Sequence, residues 1–490
     1  MCNINTHTPL EILNKLAMIF ETSREERNLS KLKEGLDLST KVDISQFNKS
    51  EKCRFHYFVA NGWSYVLSLK YDSPENAELF STEYEKEIYH LRVALHFIDD
   101  VKAMDACQVL TNLGCAFSHI GRYAEAQYYF NWALNINSDF GMALGNKGYG
   151  LYRYARELFD GTHQFIFLQY ARKYLLEASE KKDVYPEVGY GFHELANHIA
   201  SSYPSELLDD YKVYPDILAD CTEEDKDYRL WCIDNVLFLN PLNDVIRQNI
   251  VARDILHTPA MTLKREDKPI YQSIFNQIKQ EFVTARFFFY DGAYNDRKHF
   301  SNREVTLYSV FDMPLYSINI EKVKIAFRLC YSIFDKIAYL LNIYLKLGID
   351  KNKVSFRNIW HKSGNVKNPI RTEIFNEHNL ALRGLFWLSK DLDEKSGSPI
   401  EPEAKEIATI RNYIEHKSFK VVEVKNMYWD EAPETYEIEQ DAFYDKTLRL
   451  LRLTRSALLY LSLAIYEEES YKTPLEGGIR TIEMELLQNS

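Results

Sequence analysis

The chain has 490 residues, 46% hydrophobic and 14% aromatic, which is enough apolar material for roughly two to four domains with buried cores. Its 18 Gly and 14 Pro are few for this length, so the composition favours long helices over a turn-rich β protein. The formal net charge of -12 excludes a generally basic surface for nucleic acid, so any RNA contact must use a local basic pocket.

The seven cysteines are dispersed along the chain, and no two of them have the two-residue spacing that is typical of zinc sites. Such a set favours reduced thiols in a cytoplasmic protein. Residues 1–16 are too polar to contain the apolar core of a signal peptide. The most apolar run, residues 457–466, is about half as long as a membrane span requires. We therefore expect a soluble cytoplasmic protein with no membrane contact, no metal and no cofactor.

A repeat pattern occupies the first half of the chain. Between residues 107 and 140, small and large side chains alternate where two antiparallel helices must approach each other closely. The segment resembles a tetratricopeptide repeat and departs from it only at the opening tryptophan, here Leu110, and at the closing proline, here Ser138. The matching positions are Leu113, Gly114, Phe117, Ala126, Phe130 and Ala133.

Less regular units precede and follow this repeat. Asn61 and Gly62 belong to an upstream unit, Gly148 takes the small position of a degenerate downstream unit, and Pro241 ends the last one. Because each helical pair buries its apolar face only against its neighbours, we predict a right-handed solenoid over residues 45–256, after a helical cap over residues 1–44. Its concave surface is expected to bind a protein or peptide. The alternative is an architectural solenoid that packs against the second half of the chain.

The pattern changes after an aperiodic junction at residues 257–268. Apolar residues then recur at steps of three and four, which predicts an antiparallel helical bundle over residues 269–468 and a polar tail over 469–490. A polar, acidic insert at residues 424–440 interrupts the bundle. The predicted fold class is all-α, a tetratricopeptide-like solenoid followed by a bundle. The predicted bundle helices cover residues 270–290, 321–347, 373–390, 402–417 and 441–467.

Arg411, Asn412 and His416 stand in the predicted helix over residues 402–417. At about 100° per residue, Asn412 and His416 lie on one face of that helix with Arg411 beside them. A side chain that exchanges protons near neutral pH and a guanidinium that matches phosphate oxygens are what phosphodiester cleavage needs without a metal. The three residues are therefore candidate catalytic residues of a ribonuclease.

This spacing of arginine and histidine also arises by chance. Arg371 and His378 form a second match, which lacks the asparagine. The alternative interpretation of the motif is a solvated helix face on which Arg411 and Glu415 form an ion pair across one turn.

A bundle whose penultimate helix carries this motif resembles the HEPN superfamily, whose domains occur in prokaryotic toxin and phage-defence ribonucleases. Residues 327–332 and 335–338, Phe-Arg-Leu-Cys-Tyr-Ser and Asp-Lys-Ile-Ala, resemble the HEPN domains that are fused behind tetratricopeptide repeats. The likeness spans about residues 270–466.

The resemblance implies a homodimer in which two motif helices face each other across a two-fold axis and hold one scissile phosphate. His416 would move a proton, Arg411 would stabilise negative charge, and Asn412 would orient the histidine or a phosphate oxygen. Because the nucleophile would be the 2′-hydroxyl of the substrate, RNA would be cut and DNA spared, without a metal.

Further charged residues accompany the motif. Arg328, Asp335 and Lys336 share one face of the helix predicted over residues 321–347, either as support for the motif or as a buried ion pair. His299, with Arg297 and Lys298, and the pair Trp360 and His361 are predicted in loops, where they contact RNA or are simply solvated.

Two functions compete at this point. In the first, the chain is an endoribonuclease of growth arrest or anti-phage defence, restrained or directed by its repeats until a protein partner, for example a viral one, binds them. In the second, it is a non-catalytic tetratricopeptide adaptor with an inactive, dimerising bundle. Convergence of Arg411 and His416 from two chains on a shared cleft would favour the first function.

Overall fold

Helices dominate the computed structural model, which describes residues 7–71, 81–264, 268–295, 299–308, 314–375, 378–392, 400–424, 434–472 and 479–481. The chain divides into two compact units. The N-terminal unit comprises residues 1–212 with residues 395–402, and the C-terminal unit comprises residues 213–394 with residues 403–490. The expected all-α fold class is confirmed.

The helices of the N-terminal unit have clear local start signals. Thr8 and Asn48 each accept a hydrogen bond from the backbone of a glutamate three residues later, and the carboxylate of that glutamate accepts one from the backbone N–H of the cap residue, so both form capping boxes. The helices are α1 (Pro9–Glu25), α2 (Leu29–Ser39), α3 (Lys49–Lys70), α4 (Thr82–Leu95), α5 (Ala103–His119), α6 (Tyr123–Ile136), α7 (Gly141–Glu157), α8 (Gly161–Ser179), α9 (Pro186–Ala200) and α10 (Ser205–Leu208).

Consecutive helices of this unit pack in pairs, with α3 against α4, α5 against α6 and α7 against α8. The small residues noted in the sequence lie where the helices of a pair meet. A Cβ atom added at Gly114 would lie 2.6 Å from the ring of Phe130, and one at Gly148 would lie 2.8 Å from the side chain of Leu175. The pairing agrees with a repeat architecture, while the tetratricopeptide identity of the repeats stays a prediction.

The C-terminal unit is built on two long helices that pack along each other, α12 and α13, with α16 packed against both. Helix α13 places Val323, Phe327, Cys330 and Phe334 in the core, which is the face that the apolar periodicity predicts. The helices are α11 (Glu223–Asp234), α12 (Ile270–Tyr294), α13 (Ile318–Tyr344), α14 (Leu380–Ser389), α15 (Ala404–His416) and α16 (Gln440–Tyr471).

Short strands accompany these helices. Strand β1 (Thr262–Leu263) pairs antiparallel with β4 (Ile479–Arg480), and β2 (Ser418–Val422) pairs parallel with β3 (Thr435–Glu439). Strand β3 lies within the stretch expected to be a polar insert. Strand β2 buries Phe419 and Val421 on alternate positions, as a half-buried strand does, and it also buries Val422 at its end.

Helix α14 begins later than predicted. Leu380 is its first residue because Asn379 caps it by accepting a hydrogen bond from the backbone of Leu382. The preceding residues Thr372–Ile374 form a single 3₁₀ turn. The helix expected from residue 373 is therefore shorter by seven residues at its start.

Residues 213–256, which were predicted to belong to the solenoid, belong to the C-terminal unit. Two buried arginines explain this placement. Arg286 on α12 forms a bidentate ion pair with Asp254, at 2.9 and 2.7 Å, and Arg455 on α16 binds Asp244 at 2.7 Å. Arg455 also donates to the backbone carbonyls of Phe238 and Asn240. These contacts fix the segment after α11 to the bundle helices.

The short segment in front of α15 lies in the N-terminal unit. Ile400 and Glu401 are 0% and 2% exposed. Arg92 on α4, itself 4% exposed, donates to the carbonyl of Ile400 at 3.1 Å and pairs with the carboxylate of Glu401 at 3.2 Å. A buried ion pair therefore attaches this segment to α4 at Glu401, three residues before the first residue of α15.

Candidate functional site

Helix α15 (Ala404–His416) carries the motif residues along the edge of its buried face. Its apolar residues Ala404, Ile407, Ala408 and Ile410 are buried, and the helix packs against α13. Residues 411–415 are half-buried and His416 is exposed. The helix ends at His416 because Lys417 has an extended backbone, with φ −141° and ψ −168°, and leads directly into β2.

Strand β3 fixes the orientation of α15. The hydroxyl of Tyr436 donates to the Glu406 carboxylate at 2.8 Å, and the Tyr436 ring contacts the Tyr413 ring at 5.6 Å. The ammonium of Lys417 lies 4.6 Å from the centre of the Tyr413 ring. Helix α15 is therefore held at its first turn and near its last turn, which leaves its exposed end with a defined geometry.

The guanidinium of Arg411 has neutral partners. Its Nη1 donates to Oδ1 of Asn412 at 3.0 Å, and its central carbon lies 5.5 Å from the centre of the Tyr331 ring on α13. Arg411 forms no ion pair with any residue that the structure describes. An amide and an aromatic face are thus its direct partners, while the carboxylates of Asp335 and Glu415 interact with its charge without forming an ion pair.

Glu415 is engaged by an arginine from another helix. Arg328 on α13 donates from Nε and Nη2 to the two carboxylate oxygens of Glu415, at 2.9 and 3.0 Å. These hydrogen bonds lower the pKa of Glu415, with smaller contributions from the charges of Arg411 and His416. The expected alternative, an ion pair between Arg411 and Glu415, is therefore wrong, because the fork of Arg328 occupies both oxygens.

Asp335 and Lys336 play different parts. Asp335 accepts a hydrogen bond from the backbone N–H of Phe356 at 2.9 Å. Burial raises the pKa of Asp335, while the Phe356 hydrogen bond and the charge of Arg411 act in the opposite direction. Lys336 pairs with Glu281 on α12 instead. The three residues predicted to act together therefore separate: Arg328 and Asp335 border the motif, and Lys336 binds the neighbouring helix.

His416 is the last residue of α15 and is exposed. Its imidazole makes no hydrogen bond with the residues that the structure describes. Asn412, one turn earlier, is directed to Arg411 rather than to the histidine. The end of α15 therefore offers an exposed imidazole and the guanidinium of Arg411, which Asn412 and the Tyr331 ring position.

Arg371 and His378, the second match to the motif, do not lie on one helix. Nε of Arg371 donates to the backbone carbonyl of His361 at 2.9 Å, and the ring of His378 stacks on Tyr471 with 5.3 Å between centres. Arg371 precedes a 3₁₀ turn and His378 precedes α14, so no helix presents the two side chains together.

The predicted loop residues differ in exposure. Trp360 is buried, with 1% of its surface exposed, because its Nε1 donates to the Phe356 carbonyl at 2.7 Å and its ring packs among other rings. His299 accepts a hydrogen bond from the backbone of Ser301. Arg297 and Lys298 lie outside the described residues.

Two contacts of the motif could not be found from sequence spacing. Arg328 was predicted as possible support for the motif, but its pairing with Glu415 was not, and Tyr331 under Arg411 was not predicted as a partner; both residues lie on α13, about 80 residues before the motif. Their separation of three residues places them on one face of α13, but nothing in the sequence shows that this face meets α15.

Among the described residues no helix is both long and apolar enough to cross a bilayer. The same residues hold no group of three or more His, Cys, Asp or Glu side chains arranged to bind a metal ion.

Residues 262–468 match the family model of LA2681-like HEPN domains. The match covers α12 to α15 and most of α16, including Arg411, Asn412 and His416, and it confirms the resemblance drawn from the bundle and the motif. No curated protein and no solved structure matches the chain.

Proposed function

We propose that the chain is a metal-independent endoribonuclease whose active site is built on Arg411, Asn412 and His416, because residues 262–468 match the family model of LA2681-like HEPN domains. Its substrate is RNA, which it cleaves through the ribose 2′-hydroxyl. In the cell it acts as an effector of growth arrest or anti-phage defence.

The observation that carries the proposal is the state of Arg411. Glu415, the carboxylate one turn away on the same helix, is bound by Arg328, and Arg411 is left with an amide and an aromatic ring as partners. A guanidinium with neutral partners retains its charge for an incoming phosphate. An arginine that served only to stabilise the helix would be expected to pair with that carboxylate.

The reaction needs one proton transfer at each end of the bond that breaks. His416 accepts the proton of the 2′-hydroxyl as the oxygen attacks phosphorus, the bond from phosphorus to the 5′-oxygen breaks, and an imidazolium gives that oxygen a proton. Arg411 stabilises the charge on the phosphoryl oxygens, and Asn412 keeps the guanidinium of Arg411 in place. The products are a 2′,3′-cyclic phosphate, or the 3′-phosphate derived from it, and a free 5′-hydroxyl.

One motif supplies one histidine, whereas the reaction uses a base and an acid. We therefore propose a homodimer through the HEPN domain, in which two α15 helices share one scissile phosphate across a two-fold axis. Each chain then contributes one imidazole and one guanidinium to the same site.

The N-terminal unit has a regulatory part in this proposal. An unrestrained ribonuclease damages the cell that makes it, and a helical repeat unit offers a surface on which a protein partner can shift a two-state arrangement. A viral protein is one candidate for that partner. A few kcal/mol of differential affinity suffice to move such an equilibrium.

The chemistry is tested with the purified full chain and a labelled single-stranded RNA in excess EDTA. We expect slow cleavage of the RNA by the restrained chain without a partner, no cleavage of DNA of the same sequence, and products that carry a cyclic phosphate. Cleavage that requires added Mg²⁺ or Mn²⁺ would contradict the mechanism. If neither RNA nor DNA is cut, with or without metal and partner, the chain is the non-catalytic adaptor instead.

A further inference from the structure

The loop between α13 and α14 has an unusual charge. Residues 351–371 contain six Lys or Arg residues and no Asp or Glu, in a chain whose net charge is -12. The cations are Lys351, Lys353, Arg357, Lys362, Lys367 and Arg371. A strongly basic segment within an acidic chain marks a surface that attracts a polyanion locally.

This basic loop is held in shape by its own hydrogen bonds. Ser355 and Asn358 exchange backbone and side-chain bonds at 2.9 and 3.3 Å. Farther on, the backbone of Lys362 donates to the carbonyl of Pro369 at 3.0 Å, and that of Arg371 donates to the carbonyl of Trp360 at 2.8 Å. The buried ring of Trp360 anchors the loop to the core. The cations therefore stand on a framework that does not have to be ordered when a ligand binds.

The lysines of the loop are available to a ligand. Lys351, Lys353, Lys362 and Lys367 are exposed, and none of their ammonium groups forms an ion pair within the part of the chain that the structure describes. A cavity of about 450 Å³ opens between the two halves of the loop. Its lining includes Lys353, Ser355, Arg357, Asn358, Ser363 and Asn365, a set of cations and small hydrogen-bonding groups.

The basic loop is attached directly beside the motif. The carboxylate of Asp335 accepts a hydrogen bond from the backbone of Phe356, next to Arg357, and is acted on by the charge of Arg411. Tyr331, whose ring lies under Arg411, precedes Asp335 by one helical turn, about 6 Å along α13. A strand of nucleic acid that occupies the loop is therefore close to the residues proposed to cut it.

We propose that the basic loop of residues 351–371 binds the phosphate backbone of single-stranded RNA and positions the strand at Arg411 and His416. This inference rests on the proposed function and adds the surface that binds the substrate on one side of the scissile bond. Exposed ammonium groups neutralise phosphates without reading sequence, and the Ser and Asn groups of the cavity suit phosphate oxygens and 2′-hydroxyls. An acidic protein partner is the competing occupant.

The test measures binding separately from cleavage. The full chain carrying His416→Ala is titrated with a labelled single-stranded RNA of about 12 nucleotides at several salt concentrations. In this background, Lys351, Lys353 and Lys367 are changed to Gln. A matched control changes Lys33, Lys102 and Lys182, which are exposed lysines of the N-terminal unit, to Gln and so alters the net charge equally.

We expect the loop variant to bind RNA at least roughly tenfold more weakly, and its slope of log affinity against log salt to fall by about 2. The control variant should bind as the parent does. Equal RNA affinity in the loop variant and the parent would overturn the inference, and an acidic protein would then become the expected occupant. Equal losses in the loop and control variants would also overturn it, because net charge alone would explain them.

The two proposals fail separately in these experiments. RNA binding that depends on the loop, in a chain that never cleaves RNA, leaves the loop as a binding surface and removes the catalytic proposal. If a chain with an intact His416 keeps the wild-type kcat/KM after the three loop substitutions, the catalytic proposal stands and the loop is not an RNA-binding surface.

Discussion

The state of Arg411 depends on a competition between two arginines for one carboxylate. Both Arg411 and Arg328 can reach Glu415, one along α15 and the other from α13, and the structure pairs Glu415 with Arg328 through two hydrogen bonds. A fork that binds both oxygens is stronger and better oriented than a single contact across a helical turn. Arg411 consequently keeps its charge at the exposed end of α15.

Substitution of Arg411 tests this assignment at the level of one side chain. Arg411→Ala should abolish RNA cleavage, and Arg411→Lys should restore little of it, because an ammonium cannot hold two phosphate oxygens in a planar fork. The free energy of unfolding should change by less than about 1 kcal/mol, since the lost contacts are one hydrogen bond and one cation–π contact at a half-buried site. Cleavage rates and denaturant melts of the full chain measure both effects, and wild-type cleavage by the lysine variant would contradict the phosphate-binding role.

Glu87 in the N-terminal unit provides a test of pH dependence. Burial raises its pKa to about 8, while a hydrogen bond from Ser64 lowers it. Because the folded chain holds this proton more tightly than the unfolded chain, Glu87 makes the protein less stable as the pH rises from about 4.5 to about 8.

Glu87→Gln removes that titration. The variant should be more stable than wild type at pH 8, by at least about 1 kcal/mol, and the difference should shrink towards pH 5. Urea melts of both proteins at the two pH values measure it. A difference that does not vary with pH would show that Glu87 is ionised in the folded protein.

At the scale of whole elements, long periodic helices were the most predictable. Helices α13 and α15 lie within three residues of the bounds predicted at residues 321–347 and 402–417, because an apolar stripe repeated over several turns has few alternative explanations. Strands β2 and β3 were missed. Five-residue strands carry too little periodicity to stand out, and β3 follows an acidic stretch that resembles a loop.

The site was predictable in part for the same reason. Arg411, Asn412 and His416 are neighbours in sequence, so helical geometry places them together. Their contacts with α13 depend on how two helices pack, which the sequence spacing does not encode. Trp360 and His361 were predicted in a loop that contacts RNA or is solvated, and the buried Trp360 shows that a polar, basic segment can still be anchored in the core.

The segment before α15 gives a prediction about the N-terminal unit. Glu401→Ala should remove the carboxylate that pairs with the buried guanidinium of Arg92, and removing one partner of a buried pair costs about 3–5 kcal/mol. Denaturant melts of the full chain should therefore show an earlier transition. Asp139→Asn, which breaks the exposed pair between Asp139 and Lys181, serves as the control and should leave the melt nearly unchanged. Similar melts for the two variants would contradict the burial of Glu401.

At the scale of the molecule, the sequence predicted two helical parts, but the units divide at residue 212 rather than at the junction of residues 257–268. Arg286 and Arg455 bind residues 237–254 to the bundle helices. The apolar periodicity of the sequence does not indicate such contacts between distant parts of the chain. The N-terminal unit also contains residues 400–402, which come just before α15 in the chain.

The proposed dimer predicts a specific behaviour of mixtures. Sedimentation of the full chain should give a dimer, and an excess of His416→Ala chains mixed with wild type should reduce cleavage by more than simple dilution does. The reason is that a mixed dimer contains one imidazole where base and acid are both required. A strictly monomeric chain that cleaves RNA would contradict the shared site.

The role of His416 in RNA cleavage is tested by comparing two histidines of the same chain. Full-length His416→Ala and His378→Ala are assayed beside wild type for cleavage of single-stranded RNA in EDTA. Cleavage should be lost in His416→Ala and retained in His378→Ala, because His416 shares the exposed end of α15 with Arg411, whereas His378 stacks on Tyr471 outside any motif helix. RNA cleavage by His416→Ala at the wild-type rate would contradict the account.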